Sequence, residues 1–260
     1  MRQRRFRPSG DGVHGTVFLP GQARLRGAVL VIGGSGGSEP SYVAEAVAAE
    51  GVAAMSVAYF ARPGLPAELR EIPLEYFRHA ISLLETVLPG GAPVVVIGMS
   101  RGSEAALLSA IHFSDLINGI IATVPGNVAA GSWPPGGPAW LLDGRPLPYA
   151  AEDDSAGGNL EAVIPAELTR GPILLVSAGE DNVWPSAQMA RAIADRLESS
   201  GHSFGHQVLE YPDAGHSLGY LVPDLPPGLL SPGIADRPAD RTARADAWPR
   251  AVQFIGNCLR

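Results

Sequence analysis

Residues 93–106, P-V-V-V-I-G-M-S-R-G-S-E-A-A, decide how this chain folds. The β-branched run at 94–97 predicts a fully buried strand, and residues 103–113 predict a helix. Between them, residues 98–102 have the pattern G-x-S-x-G, in which a sharp turn holds a serine above the edge of a sheet. Ser100 is therefore a candidate nucleophile, although glycine and serine also occur in ordinary strand-to-helix turns.

Apolar strands alternate with helical patterns along most of the chain. The sequence predicts an edge strand at 12–19 and further strands at 28–32, 52–59, 94–97, 119–124, 172–176 and 207–211. It predicts helices at 40–51, 67–88, 103–113 and 186–197, and a last helix after residues 246–249. This alternation predicts an α/β fold with a doubly wound, mainly parallel sheet flanked by helices. The length fits one domain over residues 1–260.

Composition narrows the possible partners and location. The net charge of −7 and the pI near 5.3 argue against a nucleic acid or an anionic membrane surface as partner. The basic residues 1–7 are not followed by an apolar segment, so we expect a frayed terminus rather than a signal peptide. The single cysteine, Cys258, excludes an intrachain disulfide and a cysteine cluster for zinc, and we expect a cytoplasmic protein.

Two later strand ends supply partners for Ser100. Asp181 follows a buried strand and is the candidate acid that orients a histidine, with the neighbouring Glu180 as an alternative. His216 lies in the loop after the last predicted strand, downstream of both Ser100 and Asp181. Serine, acid, histidine is the chain order of the α/β-hydrolase triad. We therefore predict that Ser100, Asp181 and His216 form a catalytic triad.

A glycine cluster, G-G-S-G-G at residues 33–37, lies between a predicted strand and a helix. Such a loop can supply one backbone amide of an oxyanion hole, while the amide after the nucleophile supplies the other. We expect the amides of Arg101 and of Ser35 or Gly36 to fill these roles. A turn that needs its glycines only for tight packing is the alternative.

Residues 125–171 interrupt the alternation with many glycines, prolines and tryptophans, and predict a lid-like excursion over the active-site end of the sheet. Trp133, Trp140 and Tyr149 are expected either to line an acyl pocket or to anchor this segment to the body of the protein. Trp184, in the loop of the acid, is a further pocket candidate.

Arg101 follows the nucleophile, and Glu104 lies one helical turn beyond Ser100. The two side chains are expected to form an ion pair or to contact a charged substrate. For Glu104 we favour a solvated structural pair, since such contacts are common on helix surfaces.

Short motifs from about Gly12 onward carry a family resemblance. They are residues 33–37 (G-G-S-G-G), 65–66 (L-P), 74–77 (L-E-Y-F), 98–104 (G-M-S-R-G-S-E), 145–148 (R-P-L-P), 164–165 (I-P), 179–186 (G-E-D-N-V-W-P-S), 214–216 (A-G-H) and 246–249 (D-A-W-P). On these residues the chain resembles the C-terminal catalytic domain shared by acyl-CoA thioesterases and bile acid-CoA:amino acid N-acyltransferases, within the dienelactone-hydrolase-like α/β-hydrolases.

Two departures from that family bear on function. Thioesterase members carry an N-terminal immunoglobulin-like β-domain, whereas about two dozen residues precede the first core strand here. The N-acyltransferase branch commonly uses a cysteine nucleophile. In this chain the G-x-S-x-G turn at residues 98–102, the elbow, has Ser100 instead, which is consistent with transfer of an acyl group to water.

Together the residues and the resemblance predict a serine hydrolase that cleaves a small-molecule substrate, either an acyl-CoA-like thioester or a carboxylic ester, through an acyl-serine intermediate, without a metal or organic cofactor. The alternatives are an acyltransferase that uses an amine or alcohol acceptor, and a ligand-binding sensor that keeps the fold without turnover. Such a sensor would be expected to have lost a triad residue.

Overall fold

A computed structural model of the chain describes residues 1–21, 25–151 and 159–260. Its strands are β1 (Arg2–Phe6), β2 (His14–Leu19), β3 (Ala28–Ile32), β4 (Ala53–Ala58), β5 (Ile72–Pro73), β6 (Val94–Met99), β7 (Gly119–Thr123), β8 (Trp140–Leu142), β9 (Arg145–Pro146), β10 (Ile173–Ala178) and β11 (His206–Tyr211). Its helices are α1 (Pro8–Asp11), α2 (Ser41–Ala49), α3 (Glu75–Glu85), α4 (Arg101–His112), α5 (Ser186–Ser199) and α6 (Pro238–Cys258). Three short 3-10 helices span Leu160–Ala162, Ala166–Leu168 and His216–Tyr220.

The central sheet has eight strands in the order β1-β2-β4-β3-β6-β7-β10-β11. From β4 to β11 the neighbouring strands are parallel, while β2 pairs antiparallel with β4 and β1 pairs antiparallel with β2. The chain builds outward from β3 to β4 and then returns to β6 on the other side of β3. In such sheets a ligand crevice opens at the carboxyl ends of the strands where the order reverses, so β3 and β6 position the site.

Two apolar layers cover the faces of this sheet. One contains the inward residues of α3, α4 and α5, among them Phe77, Leu107 and Ile193. The other contains the inward residues of α2 and α6, among them Val47 and Phe254. Because both faces are covered, β3, β4, β6, β7 and β10 are buried along their whole length. The prediction of an α/β fold with a doubly wound, mainly parallel sheet is confirmed.

The N-terminus differs from its prediction. Residues 2–6 form edge strand β1 rather than a frayed terminus, and residues 14–19 form an inner strand rather than an edge. The arginines of β1 are exposed, while Phe6 is buried. Backbone hydrogen bonds to β2 and the burial of Phe6 therefore order a basic segment that was expected to be frayed.

Two helices also have other bounds than predicted. The pattern at 67–88 yields a helix only at Glu75–Glu85, because Ile72–Pro73 pairs with β8 instead and Glu71 has a positive φ of 52°. The last helix begins at Pro238, ahead of 246–249, and continues through Pro249. Packing of Ala243, Ala247 and Ala251 against the sheet holds the helix on both sides of that proline.

The excursion at 125–171 contains β8 and β9, which form a three-stranded sheet with β5, and two of the 3-10 helices. The sequence did not predict these short strands, because β9 pairs only with β8, and the other partner of β8, β5, lies more than sixty residues earlier in the chain. Within the described residues, no helix combines the length and the apolar character needed to cross a membrane.

Candidate active site

Ser100 occupies the turn between β6 and α4. Its backbone has φ 54° and ψ −122°, a conformation that a non-glycine residue rarely adopts. The glycines on either side are required by close packing, since a Cβ atom at Gly98 would collide with the Gly102 carbonyl and one at Gly102 would collide with the Gly33 carbonyl. Strand and helix therefore meet closely enough to hold Ser100 at the end of the sheet.

The structure brings Asp181 and His216 to Ser100 from two other strand ends. Nε2 of His216 lies 3.1 Å from the Ser100 hydroxyl oxygen, and its Nδ1 lies 2.9 Å from both carboxylate oxygens of Asp181. Ser100 and His216 are both buried, with exposed fractions of 7% and 9%. The three side chains form one continuous hydrogen-bonded chain from Ser100 through His216 to Asp181.

Asp181 is held as an acceptor for the His216 ring. Burial alone raises the pKa of the Asp181 carboxyl, but hydrogen bonds from His216, Ser186 and the Val183 amide outweigh it and keep that pKa below its ordinary value. The amides of Val183 and Trp184 both donate to Oδ1. Glu180, the alternative acid, instead contacts Arg237, with 2.6 Å between Oε2 and Nη1.

Helix α6 fixes the loop that carries His216. The sequence predicted a last helix but not its contact with this loop. The buried Asp240 carboxylate accepts hydrogen bonds from the Gly215 amide at 2.5 Å and the Ser217 hydroxyl at 3.0 Å. The buried Arg244 donates to the Ser217 carbonyl at 3.2 Å. Proline at the first helical position and aspartate in the first turn signal a helix start in the sequence, but nothing local indicates which loop they contact.

The glycine-rich loop after β3 lies beside Ser100. A Cβ atom at Gly34 would lie 3.1 Å from the Ser100 Cβ, and Ser35 lines the same cavity as Ser100. Gly36, the second oxyanion candidate on this loop, does not line that cavity, and a Cβ atom added to it would lie 3.0 Å from the Ser231 hydroxyl oxygen. Arg101 is the first residue of α4, so its amide has no acceptor within the helix.

The Arg101 and Glu104 side chains form a buried pair, and the expectation of a solvated pair was wrong. Arg101 Nε lies 2.7 Å from Glu104 Oε1, and the Glu104 side chain is fully buried. Burial raises the pKa of Glu104, and the positive charge of Arg101 opposes that rise. Glu104 Oε2 also accepts from the Trp140 indole at 2.9 Å and the Ala130 amide at 3.1 Å, so the pair ties α4 to the excursion at 125–171.

A cavity of about 1290 Å³ opens at Ser100. Three of the four predicted pocket residues line it: Trp133, Tyr149 and Trp184. Trp140 does not line it and instead takes the anchoring alternative, because it is 1% exposed and packs in the core against Tyr59 and Phe77. Sequence analysis missed several other lining residues, which are mostly small or apolar and carry no motif: Val128, Ala130, Pro135, Val183 and Met189.

This arrangement can move one proton and stabilise one developing negative charge. His216 is placed to accept the Ser100 proton, and the Asp181 carboxylate fixes which ring nitrogen receives it. The free amides at the start of α4 favour an anion next to Ser100. Among the described residues, no cluster of three histidine, cysteine, aspartate or glutamate side chains is arranged to hold a metal ion.

The strand order and the serine elbow make this chain a protein of the α/β-hydrolase fold. Solved structures with that fold agree. A putative dienelactone hydrolase from Klebsiella pneumoniae superposes with a TM-score of 0.62 at 14% identity and covers 94% of this chain and 92% of its own. A puromycin-hydrolyzing peptidase from Mycobacterium tuberculosis superposes with a TM-score of 0.65 at 15% identity and covers 99% of this chain and 39% of its own.

Sequence comparison narrows the relationship further. Residues 148–227 match the family described as BAAT / Acyl-CoA thioester hydrolase C terminal. The peroxisomal succinyl-coenzyme A thioesterase of Mus musculus is 29% identical over 277 residues, which cover 95% of this chain and 63% of that protein. Acyl-coenzyme A thioesterase 1 of Homo sapiens is 28% identical over 273 residues, which cover 94% of this chain and 62% of that protein.

These matches confirm the resemblance found in the sequence motifs, which is to the C-terminal α/β-hydrolase domain of the acyl-CoA thioesterase and BAAT family. The chain spans about 63% of the length of the mouse relative.

Proposed function

We propose that this protein is a serine hydrolase that cleaves an acyl thioester, such as an acyl-CoA, or a carboxylic ester. The observation that carries the proposal is the hydrogen-bonded chain from Asp181 through His216 to Ser100 at the wall of a large cavity. Similarity to proteins named acyl-coenzyme A thioesterases supports the substrate class. A single domain over residues 1–260 and a cytoplasmic location belong to the same proposal.

In the first half of the proposed reaction, His216 Nε2 takes the proton of the Ser100 hydroxyl as its oxygen attacks the substrate carbonyl. The amides of Arg101 and Ser35 stabilise the negative charge on the carbonyl oxygen. The tetrahedral adduct then collapses, His216 gives its proton to the departing thiol or alcohol, and the acyl group stays on Ser100 as an ester. Asp181 holds the imidazole ring in one tautomer and stabilises its positive charge.

In the second half, water takes the place of the leaving group. His216 accepts a proton from that water as its oxygen attacks the acyl-serine carbonyl, and then returns the proton to Ser100 as the carboxylic acid leaves. The cavity supports this scheme, because Trp133, Val183 and Trp184 give it a largely apolar wall that suits an acyl chain. Every step uses this chain's own residues and water.

Turnover of a panel of acyl-CoA thioesters and p-nitrophenyl esters tests the proposal, with Ser100→Ala as the control. We expect the wild-type protein to release free acid from at least one panel member, and Ser100→Ala to lose roughly 1000-fold or more in kcat. Equal turnover by the two proteins would refute Ser100 as the nucleophile. Amide or ester products in the presence of an amine or alcohol would identify a transferase instead.

A further inference from the structure

Tyr59 lies directly beneath the glycine-rich loop that borders Ser100. It follows β4, and only 2% of its surface is exposed. Its hydroxyl donates to the Gly33 carbonyl oxygen at 2.9 Å, and the Gly34 carbonyl oxygen lies 3.4 Å from the same hydroxyl. Burial raises the pKa of Tyr59 far above its ordinary value, so the hydroxyl stays a donor at any working pH. Two successive carbonyls of the loop thus point to one buried donor.

The direction of a carbonyl fixes the direction of the amide next to it. In a planar trans peptide, the C=O and N–H bonds point to opposite sides. Since the Gly34 carbonyl faces Tyr59, the Ser35 N–H faces away from Tyr59. Ser35 lines the cavity together with Ser100, whereas Tyr59 does not. Among the described residues, no backbone carbonyl accepts a hydrogen bond from the Ser35 N–H.

We propose that Tyr59 is a positioning residue: its hydroxyl turns the Gly34–Ser35 peptide so that the Ser35 N–H is the second oxyanion donor, opposite the Arg101 amide. The inference rests on the proposed function and deepens it, since it decides between Ser35 and Gly36 as donor. Gly36 is disfavoured because, unlike Ser35, it does not line the cavity at Ser100.

Neighbouring aromatic rings fix the position of the Tyr59 ring and therefore the position of its hydroxyl. It packs edge-on against Phe60 and Phe77, with ring centroids 5.1 Å and 5.3 Å away, and lies 5.8 Å from Trp140. Trp140 is itself held by Glu104, the partner of Arg101. One buried group of side chains therefore supports the loop on the Ser35 side and the start of α4 on the Arg101 side.

Tyr59→Phe removes this hydroxyl and keeps the ring. The readout is the rate at which a fluorophosphonate labels Ser100, because the phosphonyl oxygen of the reagent occupies the oxyanion position and no natural substrate is needed. We expect the saturating labelling rate to fall by roughly tenfold or more, with the concentration for half-saturation unchanged, because the reagent still binds but its oxyanion is poorly stabilised.

Tyr76→Phe is the matched control. The Tyr76 hydroxyl also donates to a backbone carbonyl, that of Ala58 at 2.5 Å, but this carbonyl belongs to β4 and not to the loop. We expect Tyr76→Phe to lower the melting temperature and leave the labelling rate unchanged. If Tyr59→Phe lowers only the melting temperature in the same way, its role is structural and the inference is wrong.

Ser35→Pro tests the donor directly and does not require Tyr59→Phe to fold. Proline removes the N–H at position 35, and we expect a roughly 100-fold fall in the saturating labelling rate. Ser35→Ala keeps the N–H, so its rate is expected to exceed that of Ser35→Pro by roughly tenfold or more. Equal rates in these two variants overturn the inference. Absence of labelling in the folded wild-type protein would instead overturn the proposed function, and the inference with it.

Discussion

Ser100 Oγ and His216 Nε2 lie 3.1 Å apart, yet different parts of the chain hold the two residues in place. On the Ser100 side, the supports are local: strand β6, two glycines and the first turn of α4 follow one another within a few residues. On the His216 side, the supports are distant in sequence. Asp240 bonds the residues before and after the histidine, and it lies 25 and 23 positions from them.

This difference separates two ways of building one site. The Ser100 turn depends mainly on the residues next to it in the sequence, so substitutions at Gly98 and Gly102 should disturb it most. A buried carboxylate of helix α6 holds the His216 loop in place, so we expect the loop to be sensitive to a substitution in a helix that does not line the cavity.

Among the substitutions around His216, Asp181→Asn should lower kcat the most. An amide in place of the carboxylate cannot stabilise the charged imidazole and also favours the wrong tautomer of His216. We expect kcat on a p-nitrophenyl ester to fall by roughly 10³- to 10⁴-fold with an unchanged circular dichroism spectrum. A loss below about tenfold would mean that Asp181 is not the orienting acid.

Asp240→Asn should loosen the His216 loop, because it weakens the contact between that loop and helix α6. The substitution leaves at least one of the buried donors from Gly215, Ser217 and Arg237 without its acceptor, and we expect the free energy of unfolding to fall by about 1–3 kcal/mol. A roughly tenfold fall in kcat should accompany it, because His216 is displaced from Ser100.

Asp246→Asn is the control for that variant, since it makes the same change on the same helix at an exposed carboxylate that bonds Tyr211 and Arg250. We expect little change in either chemical denaturation or turnover. Equal effects of the two substitutions would show that α6 supports the fold as a whole rather than the histidine loop.

The Asp240 contribution should also depend on pH. Burial raises its pKa, but hydrogen bonds from the Gly215 and Arg237 amides outweigh burial and keep the pKa below the ordinary 3.8. A lowered folded-state pKa means that the stabilisation is complete above pH 3.8 and disappears as the pH falls through the folded-state value. Urea denaturation of wild type and Asp240→Asn should therefore give a stability difference that shrinks below that pH. A constant difference across that range would contradict this assignment.

Glu180→Gln should have the smallest effect. Glu180 is next to Asp181, but its carboxylate forms an exposed ion pair with Arg237. Exposed pairs contribute little, so we expect kcat within about twofold of wild type. A large loss would mean that the ion pair between the acid loop and α6 is a third support of the histidine side, and the contrast with the Ser100 side would become stronger.

The same contrast explains which features the sequence predicts. Strand β3 has the predicted bounds, and β6, β7 and β10 lie within two or three residues of theirs, because buried parallel strands are continuous apolar runs. Ser100 directly follows β6, whereas Asp181 and His216 lie in the loops after β10 and β11, so their convergence at one sheet edge follows from topology. These three residues could be chosen from the sequence because each signal is local.

Features that depend on partners far along the chain were not predictable in this way. Trp140 looks like its neighbours in a loop rich in aromatic residues, and only the buried Glu104 carboxylate identifies it as an anchor. Residues 67–74 have a helical pattern, but pairing of Ile72–Pro73 with Trp140 overrides it. Asp240 and Arg244 look like ordinary charged residues of an amphipathic helix until the loop of His216 is packed against them.

The most direct test of Ser100 as the nucleophile is to locate a covalent adduct. The wild-type protein is treated with a fluorophosphonate, digested with trypsin and analysed by tandem mass spectrometry, with Ser100→Ala treated in parallel. The account predicts one adduct, on Ser100, that is absent from Ser100→Ala. An unlabelled folded wild-type protein, or an adduct at another residue that persists in Ser100→Ala, would contradict it.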